Sequence, residues 1–205
     1  MDNNDIKTIQ YVSNLIEPND VLVDVGANNG EYTDFFNGGT NGKGKIYCIE
    51  LLPETYNSLV NKFKNDSNII VLNHAICDKN EMIPYYGGVN SQTNNIIGHD
   101  MNFNPNGKLG EISGLRLDTL LETEEQIKLI KIDVEGAELS VLKGLEGIIN
   151  KVDNLLIECH LDKDWSEIND LLLKTYKLSC TNVLTNTEIT TDSPRAYQCF
   201  CKKSQ

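Results

Sequence analysis

The stretch that decides the fold is VLVDVGANNG, residues 21–30, in which an apolar run meets a turn that contains two glycines. Apolar and β-branched residues in continuous runs are typical of a strand buried on both faces of a parallel sheet. Glycine lacks a Cβ and adopts positive φ freely, so the turn from Gly26 to Gly30 lets the backbone approach a ligand closely. We therefore predict a buried strand, a ligand-binding turn, and a short helix that begins near Glu31 and ends before Gly38.

Outward from this stretch, strand and helix patterns alternate along the chain. Apolar runs predict strands at 45–50 and 69–73, and Pro53 is typical of the first turn of the helix between them. Further strands are predicted at 128–132, 154–159, 176–181 and 196–202, and further helices at 137–149 and 164–174. This alternation predicts a parallel sheet with right-handed crossovers, whereas the last two strands, which have no helix between them, should be antiparallel.

The whole chain, 1–205, is predicted to be a single α/β domain. We expect an N-terminal helix within 1–19 and a mostly parallel seven-stranded sheet with a final antiparallel strand and helices on both faces. Short strands are expected at 82–86 and 113–117. Asp118 is a plausible N-cap for a brief helix that ends near Leu121.

The segment 87–110 is dominated by Gly, Asn, Ser and Pro and is longer than an ordinary connection. Its asparagines, His99 and the neighbouring Tyr85 and Tyr86 supply hydrogen bonds and aromatic faces of the kind that hold sugars. We interpret it as a lid or acceptor loop that excludes water when it closes. The alternative is a disordered insertion.

Composition limits the classes of function. The net charge of −12 repels phosphate backbones, so a general nucleic-acid partner is disfavoured. No run of about 18 apolar residues is present, and residues 1–5 lack the basic start of a signal peptide, so we predict no membrane span and a cytoplasmic location. The six cysteines form no C-x-x-C pair, which favours buried free thiols over a zinc or redox site.

Polar residues at strand ends indicate a nucleoside ligand. The turn that starts at Gly26 has the spacing G-x-x-x-G and not the G-x-G-x-x-G of a dinucleotide site, so a pyrophosphate cradle is disfavoured. A carboxylate such as Glu50, at the end of the second strand, can accept hydrogen bonds from both ribose hydroxyls. Asp24, His74 and Asp133 also fall at strand ends, where the ligand crevice of a parallel sheet lies. In the alternative reading, Asp24 only caps a helix and Glu50 only faces solvent.

Two segments resemble the signatures of FkbM-type methyltransferases. They are VDVGANNG at 23–30 and LIKIDVEGAE at 129–138, and the second is the more specific because it is a long match. Segments 115–120, 142–144 and 156–160 resemble the same family in the same order, so the resemblance runs from about residue 20 to about residue 160. It implies a Rossmann-like class I methyltransferase fold with S-adenosylmethionine as the methyl donor.

The resemblance also implies which residues bind the donor. Its methionine part would be lined by Asp24, Gly26, Asn28 and Gly30, its ribose held by Glu50, and its adenine edged by His74, Ala75 and Ile76. The full predicted cofactor set also includes Ala27, Thr33 and Leu51. The chain departs from the family at Ile49, where an aromatic residue is usual, and at Leu51, where proline is common, which affects the packing around the ribose and the adenine.

Four residues are predicted to form the catalytic site, namely Asp133, Glu135, Glu158 and His160. Methyl transfer from a sulfonium is an in-line displacement, so the protein must align the acceptor and help to remove the proton of a hydroxyl. We expect His160 or Asp133 to be the general base, with Glu158 or Glu135 orienting the base or the acceptor. In the alternative interpretation, Glu135 has no catalytic role and lies in the first turn of a helix because the helix dipole favours an acid there. His160 would then only cap a strand.

A metal ion is a weaker interpretation of the same residues. Asp133, Glu158 and His160 are ligand types for Mg²⁺ or a transition ion, but spacing alone does not indicate a site. We therefore predict a site that binds no metal. A divalent metal ion is the less favoured alternative.

The predicted function is O-methylation of a hydroxyl on a small molecule or a glycan sugar. The alternatives are N-methylation of an amino sugar or small amine, a nucleotide-dependent oxidoreductase, and a non-catalytic nucleoside-binding domain. The expected partner is a small-molecule or glycan acceptor, with neither nucleic acid nor membrane, and a homo-oligomer is left open.

Overall fold

The computed structural model describes residues 3–87, 95–96 and 108–203. Its strands are β1 (Val21–Val25), β2 (Lys45–Glu50), β3 (Ile69–Asn73), β4 (Ala75–Ile76), β5 (Met82–Gly87), β6 (Asn95–Ile96), β7 (Lys108–Leu115), β8 (Ile127–Ile132), β9 (Val152–Glu158), β10 (Leu178–Asn182), β11 (Thr187–Glu188) and β12 (Gln198–Lys203). Its α-helices are α1 (Asn3–Val12), α2 (Glu31–Gly39), α3 (Pro53–Lys62), α4 (Leu117–Leu120), α5 (Glu138–Lys143) and α6 (Asp162–Asp170). Stretches of 3-10 helix lie at Ser13–Leu15 and Glu146–Lys151, and a π-helical turn lies at Leu171–Thr175.

The main sheet has the strand order β11-β10-β12-β9-β8-β1-β2-β3. Strands β9, β8, β1, β2 and β3 are parallel neighbours, and β12 lies antiparallel between β9 and β10. The predicted Rossmann-like sheet, mostly parallel with an antiparallel strand near its end, is therefore confirmed. Because the chain leaves β1 toward β2 on one side and later returns to β8 on the other, the order reverses between β1 and β8, where such sheets bind ligands.

Helices cover both faces of the sheet. Successive side chains of a strand point to opposite faces, so each central strand contributes side chains to two cores. Val23 and Val25 lie in the core that contains Val141 of α5. Leu22 lies in the opposite core with Phe36 of α2. The predicted helices on both faces are thus confirmed, and the alternation also assigns a face to every side chain of β1.

The structure differs from the prediction in the number of strands. The main sheet has eight strands because the short β11 pairs with the far edge of β10. A second sheet of four short strands, in the order β4-β7-β5-β6, lies beside it.

The predicted lid or acceptor loop at 87–110 ends earlier in the structure, where a strand begins at Lys108. Strand β7 begins at Lys108 instead of at Ser113, because residues 108–113 pair antiparallel with β5 along its whole length. Residues 88–94 and 97–107, which carry most of the predicted loop and His99, lie outside the described residues.

Several helix boundaries also differ from the prediction. Helix α2 continues through Gly39 and stops at Thr40, whose N–H and hydroxyl both donate to the Phe36 carbonyl oxygen. The predicted helix at 137–149 is interrupted at Gly144, where a Cβ would lie 2.3 Å from the carbonyl oxygen of Cys77. The predicted N-cap residue Asp118 lies inside α4, which Arg116 caps. The next helix starts at Asp162, two residues before the predicted start, and continues beyond Asp170 as the π-helical turn.

Cysteine pairing is a further difference. Cys180 and Cys201 face each other across β10 and β12 and form a disulfide, which the prediction of free thiols did not include. Cys48, Cys77, Cys159 and Cys199 are buried free thiols, as predicted. Within the described ranges, no helix combines the length and the apolar character that crossing a bilayer requires.

Replacing both disulfide cysteines by serine should lower the free energy of unfolding by roughly 2–4 kcal/mol, because the cross-link restricts the unfolded chain over a separation of 21 residues. Urea unfolding of the wild type and of Cys180→Ser/Cys201→Ser, each with and without reductant, measures this. Reductant should destabilise only the wild type. Equal stability of all four samples would contradict the prediction.

Candidate active site

A cleft with an empty volume of about 630 Å³ opens beyond the carboxyl ends of β1, β2 and β8. It lies at the point where the strand order reverses. The residues that line it are Val25, Gly26, Asn28, Ile49, Glu50, Leu51, His74, Ala75, Ile76, Asp133, Val134, Glu135 and Ala137. The fold thus brings most of the predicted cofactor residues into one cleft together with two of the predicted catalytic residues.

The turn after β1 forms the floor of the cleft and requires glycine at its first position. Gly26 has φ of 77°, and a Cβ on it would lie 1.8 Å from the backbone oxygen of Asp133. The N–H groups of Gly26 and Ala27 both donate to the carbonyl oxygen of Ile49 at 3.0 Å. Backbone contacts with the ends of β2 and β8 therefore fix this turn before any ligand binds.

The carboxylate of Glu50 lies against the same turn. Its Oε2 accepts the N–H of Asn28 and its Oε1 accepts the N–H of Leu52, both at 2.9 Å. Burial raises the pKa of Glu50, although these two hydrogen bonds oppose the rise. A carboxylate oxygen can accept a second hydrogen bond, so both oxygens remain able to receive ligand hydroxyls.

One part of the cleft lining comes from His74, which joins β3 to β4, and from Ala75 and Ile76 of β4 itself. Leu51, which follows β2, also lines the cleft. Nδ1 of His74 lies 3.3 Å from the carbonyl oxygen of Ser113, in β7 of the small sheet. The small sheet therefore supports the wall that the sequence assigns to the adenine.

Four predicted cofactor residues do not line the cleft: Asp24, Ala27, Gly30 and Thr33. Asp24 is fully buried on the α2 face of the sheet, and its Oδ2 accepts the hydroxyl of Thr33 at 2.7 Å. Gly30 has φ of 76° and precedes α2, where a Cβ would lie 2.8 Å from Leu59. In the structure these residues support the turn from behind.

The sequence interpretation missed Lys131, a buried residue of β8. Its ammonium group lies 3.4 Å from Asp24 Oδ1 and 3.3 Å from Asp133 Oδ2, and it donates to the carbonyl oxygen of Gly26 at 3.0 Å. The sequence does contain a signal for this ion pair. Lys131 lies in the apolar run of β8 and Asp24 in the apolar run of β1, and charged residues are almost never buried unless they are paired. The register places Asp24 directly opposite Lys131.

The four predicted catalytic residues, Asp133, Glu135, Glu158 and His160, lie together and are called the acidic cluster below. Nε2 of His160 lies 3.4 Å from Glu158 Oε1, 3.7 Å from Glu135 Oε2 and 3.8 Å from Asp133 Oδ1. Asp133 and Glu135 also line the cleft, whereas Glu158 and His160 are not among its lining residues.

Burial and charge act on the pKa values of this cluster in different directions. Burial alone would lower the pKa of His160, but the hydrogen bond to Glu138, together with the nearby carboxylates of Glu158 and Glu135, raises it to about 10. Burial raises the pKa of Glu135 to about 7 and also raises that of Asp133. The raised pKa of His160 thus favours an imidazolium beside the carboxylates of Asp133, Glu135 and Glu158.

A second residue that sequence reasoning missed is Glu138, to which no role was assigned. It is fully buried, and its Oε1 accepts Nδ1–H of His160 at 2.7 Å and the N–H of Gly136 at 2.9 Å. Glu138 therefore fixes the orientation and the tautomer of the His160 ring. Only the fold reveals this role, because 22 residues separate the two side chains.

Glu158 is oriented by the side chains of Tyr197 and of Gln198 in β12, and Gln198 is bonded in turn to α1. The hydroxyl of Tyr197 donates to its Oε1, and Nε2 of Gln198 donates to its Oε2 at 3.3 Å. Thr8 of α1 in turn donates its hydroxyl to Oε1 of Gln198 at 2.6 Å. Both Thr8 and Gln198 are buried, so this chain of hydrogen bonds holds the carboxylate in place.

Glu135 occupies a strained turn and not the first helical turn that was considered for it. Its φ is 53°, and Gly136 follows with φ of 102° before α5 begins at Glu138. Left-handed backbone is uncommon for residues other than glycine and occurs most often at functional sites. The turn places the Glu135 carboxylate in the cleft beside Asp133.

Comparison with known proteins places this geometry in a family. Residues 24–182 match the model of the methyltransferase FkbM domain. Hexuronic acid methyltransferase AglP from Haloferax volcanii is 29% identical over 162 residues, which cover 76% of this chain and 62% of that protein.

Solved structures agree on the fold. Methyltransferase FkbM from Methylobacillus flagellatus superposes with a TM-score of 0.63 at 21% identity and covers 95% of this chain, which corresponds to 47% of that chain. A Streptococcus mutans protein solved in complex with SAH has a TM-score of 0.52 at 11% identity, with 100% of this chain and 99% of that chain covered. Because the family model spans most of its length, this chain belongs to the FkbM methyltransferase domain family.

Proposed function

We propose that the protein is an S-adenosylmethionine-dependent methyltransferase that transfers the methyl group to a hydroxyl of a sugar-containing acceptor. The observation that carries the proposal is the cleft itself. It joins a ligand-ready turn at Gly26 and the buried carboxylate of Glu50 to an acidic cluster that begins with Asp133. One end suits a nucleoside and the other end suits proton removal.

The charge of the cleft supports this donor over a dinucleotide. Of the described residues that line it, three are carboxylates, Glu50, Asp133 and Glu135, and none is Lys or Arg. S-adenosylmethionine carries a sulfonium and an ammonium group, which such a surface attracts. A pyrophosphate would be repelled, and the turn lacks the third glycine of a dinucleotide site.

The cofactor assignment follows the position of each residue in the cleft. Glu50 holds the ribose hydroxyls, Gly26 and Asn28 contact the methionine part, and the wall at 74–76 with Leu51 holds the adenine. Asp24, Ala27, Gly30 and Thr33 act indirectly, because they keep the turn in shape from the buried side.

The transfer itself is a displacement at the methyl carbon. The acceptor oxygen forms a bond to that carbon while the carbon–sulfur bond breaks, S-adenosylhomocysteine leaves, and the hydroxyl proton passes to a carboxylate. Asp133 suits this role better than His160, because Asp133 lines the cleft, whereas the His160 side chain is only 8% exposed and bonded to Glu138. Glu135 stands beside Asp133 and orients the acceptor.

Two observations outside the cleft geometry support a sugar acceptor. The relative from Haloferax volcanii is named a hexuronic acid methyltransferase, although this chain spans only 62% of its length. The family resemblance also favours sugars.

An amino sugar or small amine is the second candidate acceptor, because the acidic cluster would attract its ammonium group. A screen with radiolabelled methyl donor over hydroxyl and amino sugars separates the two candidates.

Glu50→Gln should weaken the binding of S-adenosylhomocysteine at least about tenfold, because a charge-assisted hydrogen bond to each ribose hydroxyl is lost. Isothermal titration calorimetry measures this, with Glu54→Gln as the control, since Glu54 is an exposed acid at the start of α3. NAD should not bind to the wild type. Absence of binding of both the donor and its demethylated product to the wild type would refute the proposed function.

Gly26→Ala should abolish product binding and lower the free energy of unfolding by about 2 kcal/mol or more, since its Cβ would overlap the Asp133 backbone oxygen. The matched control is Gly38→Ala in α2, where a Cβ would meet nothing within 4 Å. Calorimetry and urea unfolding report both effects. If the two variants behave alike, the close contact between the turn and β8 is not needed for binding.

Asp133→Asn should reduce turnover by roughly 10²–10⁴-fold while product binding changes only a few-fold, because the carboxylate acts on the acceptor and not on the donor. Release of labelled methyl product, with calorimetry on the same preparation, tests this. Unchanged turnover would remove Asp133 from the mechanism.

A further inference from the structure

His160 presents one ring nitrogen to the acidic cluster in a fixed orientation. Its side chain is 8% exposed, and Nδ1 is bonded at 2.7 Å to Glu138, which is itself fully buried. Histidines that bind metals almost always donate their other ring N–H to a carboxylate, a backbone carbonyl or water, because this bond fixes the tautomer and raises the basicity of the ligating nitrogen. Nε2 is therefore the atom available to a ligand.

Nε2 faces carboxylate oxygens at distances longer than those of ordinary hydrogen bonds. The oxygens of Glu158, Glu135 and Asp133 lie 3.4 Å, 3.7 Å and 3.8 Å away, whereas N–H···O bonds are about 2.9 Å long. Atoms bound to one ion at about 2.1 Å stand roughly 3.0–3.5 Å apart, depending on the coordination geometry. One ligand atom from each of Asp133, Glu158 and His160 lies within 4.8 Å of the others.

We propose that Asp133, Glu158 and His160 bind a single divalent cation. Two carboxylate oxygens and one imidazole nitrogen form a mixed hard and borderline set, which suits Mn²⁺ and similar ions better than Ca²⁺. This proposal reverses the metal-free site predicted from the sequence.

Each proposed ligand is held by a separate support, as metal ligands usually are. Glu138 holds His160, Tyr197 and Gln198 hold Glu158, and Lys131 lies 3.3 Å from Oδ2 of Asp133, leaving Oδ1 toward the cluster. The Asp133 side chain is 29% exposed and lines the cleft, so the ion has a path of entry.

The role of the ion rests on the proposed function. Bound between the ligands and the cleft, it would coordinate the acceptor oxygen and favour loss of the hydroxyl proton. With the ion bound, Asp133 would serve as a ligand and would no longer take the proton as it does in a metal-free site. The proton would instead pass to Glu135, which lines the cleft but is not a proposed ligand, as the oxygen–methyl bond forms and the sulfur–methyl bond breaks.

The decisive experiment is a titration of the purified full chain with Mn²⁺, with and without S-adenosylhomocysteine, in which the electron paramagnetic resonance of free Mn²⁺ measures binding. We expect one Mn²⁺ per chain. Glu158→Gln should weaken binding at least about 10- to 100-fold, because a ligand charge is lost. Glu135→Gln removes the same charge 3.7 Å from Nε2 but no ligand, and should weaken binding less than about fivefold.

The control variant separates a defined site from general attraction. Equal loss of Mn²⁺ in Glu135→Gln and Glu158→Gln, or no stoichiometric binding by the wild type, would overturn the proposal. Full turnover in excess chelator would overturn it as well. Circular dichroism verifies that the variants are folded, and His160→Gln supplies a second ligand variant if Glu158→Gln does not fold.

The two proposals fail in different ways. If S-adenosylhomocysteine does not bind, the proposed function fails, while the titration without it still decides whether the cation site exists. If S-adenosylhomocysteine binds and Mn²⁺ does not, only the cation site fails.

Discussion

The ammonium group of Lys131 lies in the interior between Asp24 and Asp133, and it also donates to the carbonyl oxygen of Gly26. Burial alone would lower the pKa of Lys131, but the charges of Asp133 and Asp24 raise it, so the ammonium form is retained. A buried charge that loses one partner is costly, about 3–5 kcal/mol, because the other charge is left without compensation. The single lysine thus joins β1, β8 and the turn between β1 and α2 at the point where the strand order reverses.

Both ends of the cleft depend on this arrangement. The turn at Gly26 approaches the backbone of Asp133 so closely that no side chain fits between them. The proposed donor site and the proposed acceptor site therefore share one rigid support. Distance between a methyl donor and an oxygen nucleophile has to be held within a fraction of an ångström, and elements built on strand ends hold it better than independent loops would.

Periodicity and turn chemistry predict much of this molecule. Continuous apolar runs predict β1 and β8 correctly because both are buried on two faces. Of the polar residues predicted at strand ends, Glu50, His74 and Asp133 line the cleft. The start of β7 was missed because its first residues pair with β5 by backbone hydrogen bonds, which polar or glycine residues make as well as apolar ones. Asp24 was placed toward the ligand by its position at a strand end, yet strand alternation puts it on the opposite face from Val25.

Other features depend on the three-dimensional register and lie beyond the reach of local patterns. The disulfide forms because Cys180 and Cys201 lie opposite each other in the register of β10 and β12. That register depends on how the intervening segment folds and does not follow from the spacing of the cysteines. The bond between His160 and Glu138 joins a strand end to a helix start.

The position of β12 has a consequence for how the chain folds during synthesis. This strand lies between β9 and β10, although it follows both in sequence, and Gln198 at its start receives a hydrogen bond from Thr8 across 190 residues. Long-range pairing of this kind has to wait for loop closure. On the ribosome, the edge of β9 stays unpaired and the carboxylate of Glu158 lacks Gln198 until residues 198–203 have emerged, so the nascent chain offers an open strand edge until then.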